Sequence, residues 1–178
     1  MWINLIIGLL GIVGIILSYF LGVRQEKRRQ SLIVRSQMLI PIEDWLTKAE
    51  ELIGILSDTI VSISQGLPLP VMYDLEERKE VYKYLSQHYN KTLGILCSDS
   101  LKTKETAKYS EELDLLIRYI EERIRNQVLP LESQIVEASN LNHPTNIHIL
   151  EGFSIKQDMD KRFMKAHEII ARIRTSLT

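Results

Sequence analysis

Arg162 and His167 stand five positions apart in the run Arg-Phe-Met-Lys-Ala-His of a 178-residue chain. Imidazole titrates near neutral pH and can give or take a proton. Guanidinium is a permanent cation whose planar fork fits phosphate oxygens. Together they could grip a phosphodiester and move a proton at one of its oxygens. On a straight helix, at about 100° per residue, the two side chains point roughly 140° apart. A shared site therefore needs Arg162 in or before the first turn of its helix, or a second subunit that completes it. Other chemistry is sparse. The chain has no phosphate-cradling glycine loop, no Gly-x-Ser-x-Gly, no His-Glu-x-x-His and no Cys-x-x-Cys. His143 and His148 lie five apart in an expected connection with no cysteine nearby, so no metal site and no cofactor is expected.

The charges nearly cancel. Lys and Arg total 22 against 23 Asp and Glu, for a formal net charge of −1. Nucleic-acid binders often carry an overall basic bias, which is missing here, although a local patch could still touch RNA. Cys97 is the one cysteine, so no disulfide forms within the chain; it is expected to be a small buried apolar side chain.

The element that must place any site is the stretch Trp2 to Val23, which contains no Asp, Glu, Lys or Arg. At about 1.5 Å per residue it is about 33 Å long as a helix, enough to span the hydrocarbon core of a bilayer. Arg24, Lys27, Arg28 and Arg29 follow at once, as expected for the cytoplasmic flank of a spanning helix. The expectation is a single-pass anchor with its N-terminus outside and the rest in the cytosol. A cleaved signal peptide would need a basic start and a small-residue cleavage site, yet no Ala occurs before Ala49. Gly8, Gly11 and Gly14 recur every third residue, and Gly14, Ser18 and Gly22 every fourth. Small residues at these spacings let another helix approach closely, so self-association in the membrane is expected. With Asn4 and Ser18 as the side chains able to wet a lumen, any pore would be largely apolar and could gate by dewetting.

The domain organisation follows: residues 1–23 as transmembrane anchor, 24–40 as a juxtamembrane helical extension, and 41–178 as a cytosolic helical bundle. Pro41 either kinks a continuing helix or opens a new one. Beyond it, Ile42, Trp45, Leu46, Ala49, Leu52, Ile53, Leu56, Ile60 and Ile63 share one helix face. Gly66 to Pro70 ends that helix, and Asp74 caps a next one that buries Leu75, Tyr82, Leu85, Tyr89, Leu93 and Leu96. Ser98 to Lys108 reads as a loop. Ser110 caps the longest soluble helix, whose apolar series runs from Leu113 to Ile135 and is kinked or divided at Pro130. Asn140 to Ser154 reads as an irregular connection. The last helix is expected to start near Asp158 or Asp160 and to bury Met159, Phe163, Ala166, Ile170 and Ile173. No alternating strand pattern or Asn-Gly turn occurs. The fold class is all-α, with four or five antiparallel helices after the anchor.

Arg162, four residues and His167 resemble the R-x(4–6)-H motif of the HEPN family, small helical bundles that are often dimeric, metal-independent ribonucleases. The resemblance implies that His167 is a general acid or base on a ribose hydroxyl or leaving oxygen, and that Arg162 stabilises charge on the phosphate. Phe163 departs from the polar residue usual after the arginine. The layout of anchor, helical bundle and this motif also looks like the membrane-anchored HEPN-like accessory proteins of type VI-B CRISPR systems. That resemblance implies a ring-forming inner-membrane protein that permeabilises the membrane in antiviral defence. Its implied partners are the membrane, further copies of itself, and RNA or an RNA-guided nuclease system. A membrane-tethered ribonuclease and a non-enzymatic interaction module are the alternatives.

Overall fold

The computed structural model describes the backbone of residues 2–65, 75–99, 101–104, 106–140 and 146–177. Side chains are described from Gly14 onward within these ranges, apart from those of 15, 16, 63, 75–77, 136, 138–140, 146–149 and 177. The elements are all helical: α1 (Trp2–Met38), α2 (Ile40–Ser64), α3 (Leu75–Leu96), α4 (Ala107–Arg123), a π-helical turn (Ile124–Val128), α5 (Leu129–Asn140) and α6 (Asn146–Leu177). No strand occurs among the described residues.

Helix α1 runs unbroken for 37 residues. It meets the bundle through packing on α2 and α6, while every described side chain from Leu17 to Ser31 is exposed. Among the described residues no helix is long and apolar enough to cross a membrane. Most of the apolar stretch expected to do so, residues 2–13 with 15 and 16, lies outside the described side chains. Gly8 and Gly11 fall there too. Gly14 and Gly22 have nothing within 4 Å of where a Cβ would stand, and Ser18 is exposed.

A single turn at Leu39 separates α1 from α2. The Leu39 amide donates to the Ser36 carbonyl at 3.2 Å, and the Glu43 amide to Leu39 at 3.0 Å. Pro41 therefore sits in the first turn of a new helix, where its missing N–H costs nothing. The inward face of α2 is buried as its periodicity implies, with Ile42, Trp45, Leu46 and Ala49 at zero exposure. Helix α3 packs along it, and the Trp45 Nε1 donates to the Leu85 carbonyl at 3.0 Å.

Three local expectations need correction. Helix α4 starts at Ala107, not at a Ser110 cap, and Ser110 is fully buried within it. Leu101, also fully buried, pulls the preceding loop into the core. The Thr103 and Thr106 hydroxyls then bond each other at 2.9 Å and wind the chain early. Cys97 is exposed rather than buried, because α3 ends at its last inward residue, Leu96. Helix α6 starts at Asn146, some twelve residues earlier than its expected acidic start. Gly152, read as a loop residue, is a contact point inside it. A Cβ there would stand 2.0 Å from Ile60 Cδ1 and 3.6 Å from Leu131 Cδ2. A larger residue there would require the Ile60 side chain to shift. The cap Asp74 and the loop Gly66 to Pro70 lie outside the described residues.

Pro130 divides its helix, as expected, but the irregularity falls upstream. Proline cannot donate to the carbonyl four residues back, and its ring crowds that carbonyl. The π turn over Ile124–Val128 absorbs the mismatch and keeps Ile124 and Val128 buried.

Candidate functional site

Helix α6 holds both motif residues and presents them to different neighbours. Arg162 turns to α4. Its guanidinium carbon lies 4.6 Å from the centroid of the Tyr119 ring, within cation–π range. Its Nε is 3.5 Å from Asp158 Oδ1. Tyr119 donates its hydroxyl to Asp158 Oδ2 at 2.6 Å and accepts from Arg123 Nε at 2.8 Å. Arg123 also approaches Asp158 at 3.5 Å and bonds Gln127. His167 turns instead to α2, where its Nε2 lies 2.8 Å from Glu50 Oε1. Seven residues along both helices, Arg174 donates to Glu43 at 2.6 Å. These two pairs pin the antiparallel register of α2 and α6.

Within one chain the two residues therefore do not converge. Because α6 begins at Asn146, Arg162 lies in its middle, and the helical geometry separating the pair applies in full. Phe163, which interrupts the motif's usual polarity, is 3% exposed and belongs to the core. Both motif side chains are about half exposed, at 41% for Arg162 and 43% for His167. His143 and His148 lie outside the described residues and side chains. Among the described residues no group of three or more His, Cys, Asp or Glu could hold a metal ion.

The Tyr119 hydroxyl, then Arg162 and Arg123, hold the Asp158 carboxyl below its ordinary range against partial desolvation. A depressed carboxylate contributes stability that is full above its unfolded pKa of about 3.9 and is lost as pH falls through the folded value. Urea unfolding midpoints should therefore drop as the pH falls below about 4. Asp158→Asn should be less stable at neutral pH and show a shallower acid dependence. Parallel acid profiles for the two proteins would remove Asp158 from the account.

A second polar cluster has no counterpart in the sequence-level expectations. Arg78 on α3 is 2% exposed, Glu132 on α5 is 6% exposed, and the two form a buried ion pair. Tyr82 also donates to Glu132. Burial, then the hydrogen bond and charge of Glu132, push the Tyr82 phenol well above its ordinary range, so it stays neutral. One signal was present: Arg78 falls between Leu75 and Tyr82 at helical spacing, on the apolar stripe itself. On the outer face of α3, the Tyr84 hydroxyl bonds Asp44, and the His88 ring stacks on Tyr84 at 4.0 Å. Desolvation and Asp44 push Tyr84 up to about 12.

Comparison of the chain with protein-family models, curated proteins and solved structures finds no match. Fold and geometry thus define the class alone: an all-α bundle carrying a long N-terminal helix that projects from it.

Proposed function

We propose that this chain is a membrane-anchored, homo-oligomeric helical effector that acts by permeabilising the inner membrane in antiviral defence. The observation that carries the reading is the single helix α1, which runs from the apolar N-terminal stretch to the edge of the bundle and breaks only at the turn at Leu39. A continuous helix between the two lets rearrangement among cytosolic bundles reach the membrane segments. The open small-residue face at Gly14, Ser18 and Gly22 supports close helix association. The layout shared with CRISPR-associated accessory proteins supports the defence setting and an RNA-guided nuclease system as partner.

The ribonuclease reading is the weaker one, because Arg162 and His167 engage α4 and α2 separately. It requires a second subunit to bring them together across an interface. Two measurements separate the readings. Particle mass and symmetry in detergent, for the full chain and for a chain beginning at Arg24, should show a closed ring that is lost with the anchor. Dye-loaded vesicles should leak on reconstitution of the full chain, and Gly14→Leu should suppress leakage. A monomer that leaves vesicles sealed would overturn the effector reading in favour of a tethered interaction module. A dimer with chelator-resistant RNA cleavage abolished by His167→Ala would favour the enzyme.

A further inference from the structure

The part of α1 from Leu17 to Arg35, where the apolar stretch passes into the basic one, has two chemically different faces. One of them carries Leu17, Phe20, Leu21 and Leu32 together with Arg24, Lys27, Arg28 and Arg35. Their spacing is helical. At about 100° per residue they fall within an arc of roughly 140°. Along the helix axis the apolar Leu17, Phe20 and Leu21 come first and Arg24, Lys27 and Arg28 follow, with Leu32 and Arg35 beyond them. Glu26, the one acid of α1, lies about 180° from Leu17 and Arg35, on the opposite side of the helix. Among the described residues none makes an ion pair with these four cations, whereas cations of the bundle such as Arg118, Lys165 and Arg174 are paired. Beside Leu17 and Leu21, Tyr19 and Phe20 pack edge to face at 6.2 Å, and tyrosine is a residue type enriched at bilayer surfaces.

We infer that this face is a binding site for an acidic phospholipid. The acyl chain lies along Leu17, Phe20 and Leu21, and the phosphate meets Arg24, Lys27 and Arg28, with Arg35 above. The inference rests on the membrane-anchor reading and adds a lipid class and a helix face to it. The usual cytoplasmic excess of Lys and Arg sets orientation from charge number, wherever the charges stand around the helix. Here the segregation of charge matters. Four of the five cations between Arg24 and Arg35 share one face with no acid among them, Arg29 standing outside it, and they concentrate attraction on a single headgroup, at about fivefold per cation near an anionic surface.

The test keeps the number of flanking charges constant. In a redistributed variant, Arg24→Gln with Gln25→Arg and Arg28→Gln with Gln30→Arg, the cations are spread around the helix. The full chain and the variant are reconstituted in nanodiscs of phosphatidylcholine with a minority of phosphatidylglycerol. Lipids retained on the protein are then identified by native mass spectrometry, and membrane retention is followed by carbonate extraction. The expected result is enrichment of phosphatidylglycerol on the full chain, about fivefold or more over the bulk. That enrichment should vanish in the redistributed variant, with both proteins resisting extraction. Equal enrichment on both would show a charge-count effect and overturn the site. Retention in the membrane with no enrichment would overturn the site while leaving the anchor. Extraction of the full chain by carbonate would overturn both.

Discussion

Glu132→Ala is expected to destabilise the bundle by about 3–5 kcal/mol, the cost of breaking a buried ion pair by removing one partner. The loss arises from what remains. Arg78, 2% exposed, would lose the Glu132 carboxylate that faces its charge in the interior, and Tyr82 would lose its bond to that carboxylate. Replacing the pair together, Arg78→Met with Glu132→Leu, should recover most of the loss, because a well-packed apolar pair avoids desolvating two charges. Urea unfolding of the four proteins closes a double-mutant cycle. A single-mutant cost below about 1 kcal/mol would mean that the pair behaves as if solvated. The pair joins α3 to α5, two helices that come from different parts of the chain.

Trp45→Ala should have an effect of similar size, about 3–5 kcal/mol, from lost transfer energy and the cavity left behind. Trp45 has zero exposure, and it faces Tyr89 at 6.3 Å between ring centroids. Its indole also satisfies the Leu85 carbonyl at 3.0 Å. Trp45→Phe keeps much of the volume and removes that bond, so it should cost less and isolate a contribution of about 1 kcal/mol beyond packing. Thermal unfolding followed by far-ultraviolet dichroism reads both variants. Domains of this size are stable by only about 5–15 kcal/mol, so Trp45→Ala should leave a measurable unfolded fraction well below the wild-type transition. An Ala variant that melts with the wild type would show that this contact is not part of the core.

Much of the fold was legible because burial on a helix follows a period. The apolar positions expected in α2, in the segment from Leu113 to Ile135 and in α6 are buried wherever their side chains are described. Breakers were harder to read. Gly152 reads as a loop residue because glycine disfavours helix in isolation, yet it lies inside α6, buried where the Ile60 side chain packs against it. Ser110 reads as a cap because its hydroxyl can serve an open amide. The cap position moved once Leu101 was drawn into the core. The same limit applies to chemistry. The motif brings Arg162 and His167 together in sequence, but α4 takes one and α2 the other.

The sequence by itself determined the all-helical class, the inward faces, and the abrupt change from an apolar stretch to a basic one at Arg24. These depend on residue type and on a period of 3.6, both written locally. The tertiary structure alone decided that α1 runs unbroken into the bundle's edge, that Arg162 rests on Tyr119, and that His167 meets Glu50. It likewise decided that Arg78 and Glu132 share the interior. Partners across helices are set by crossing position and register, which depend on how all the faces pack together and on no short run of residues.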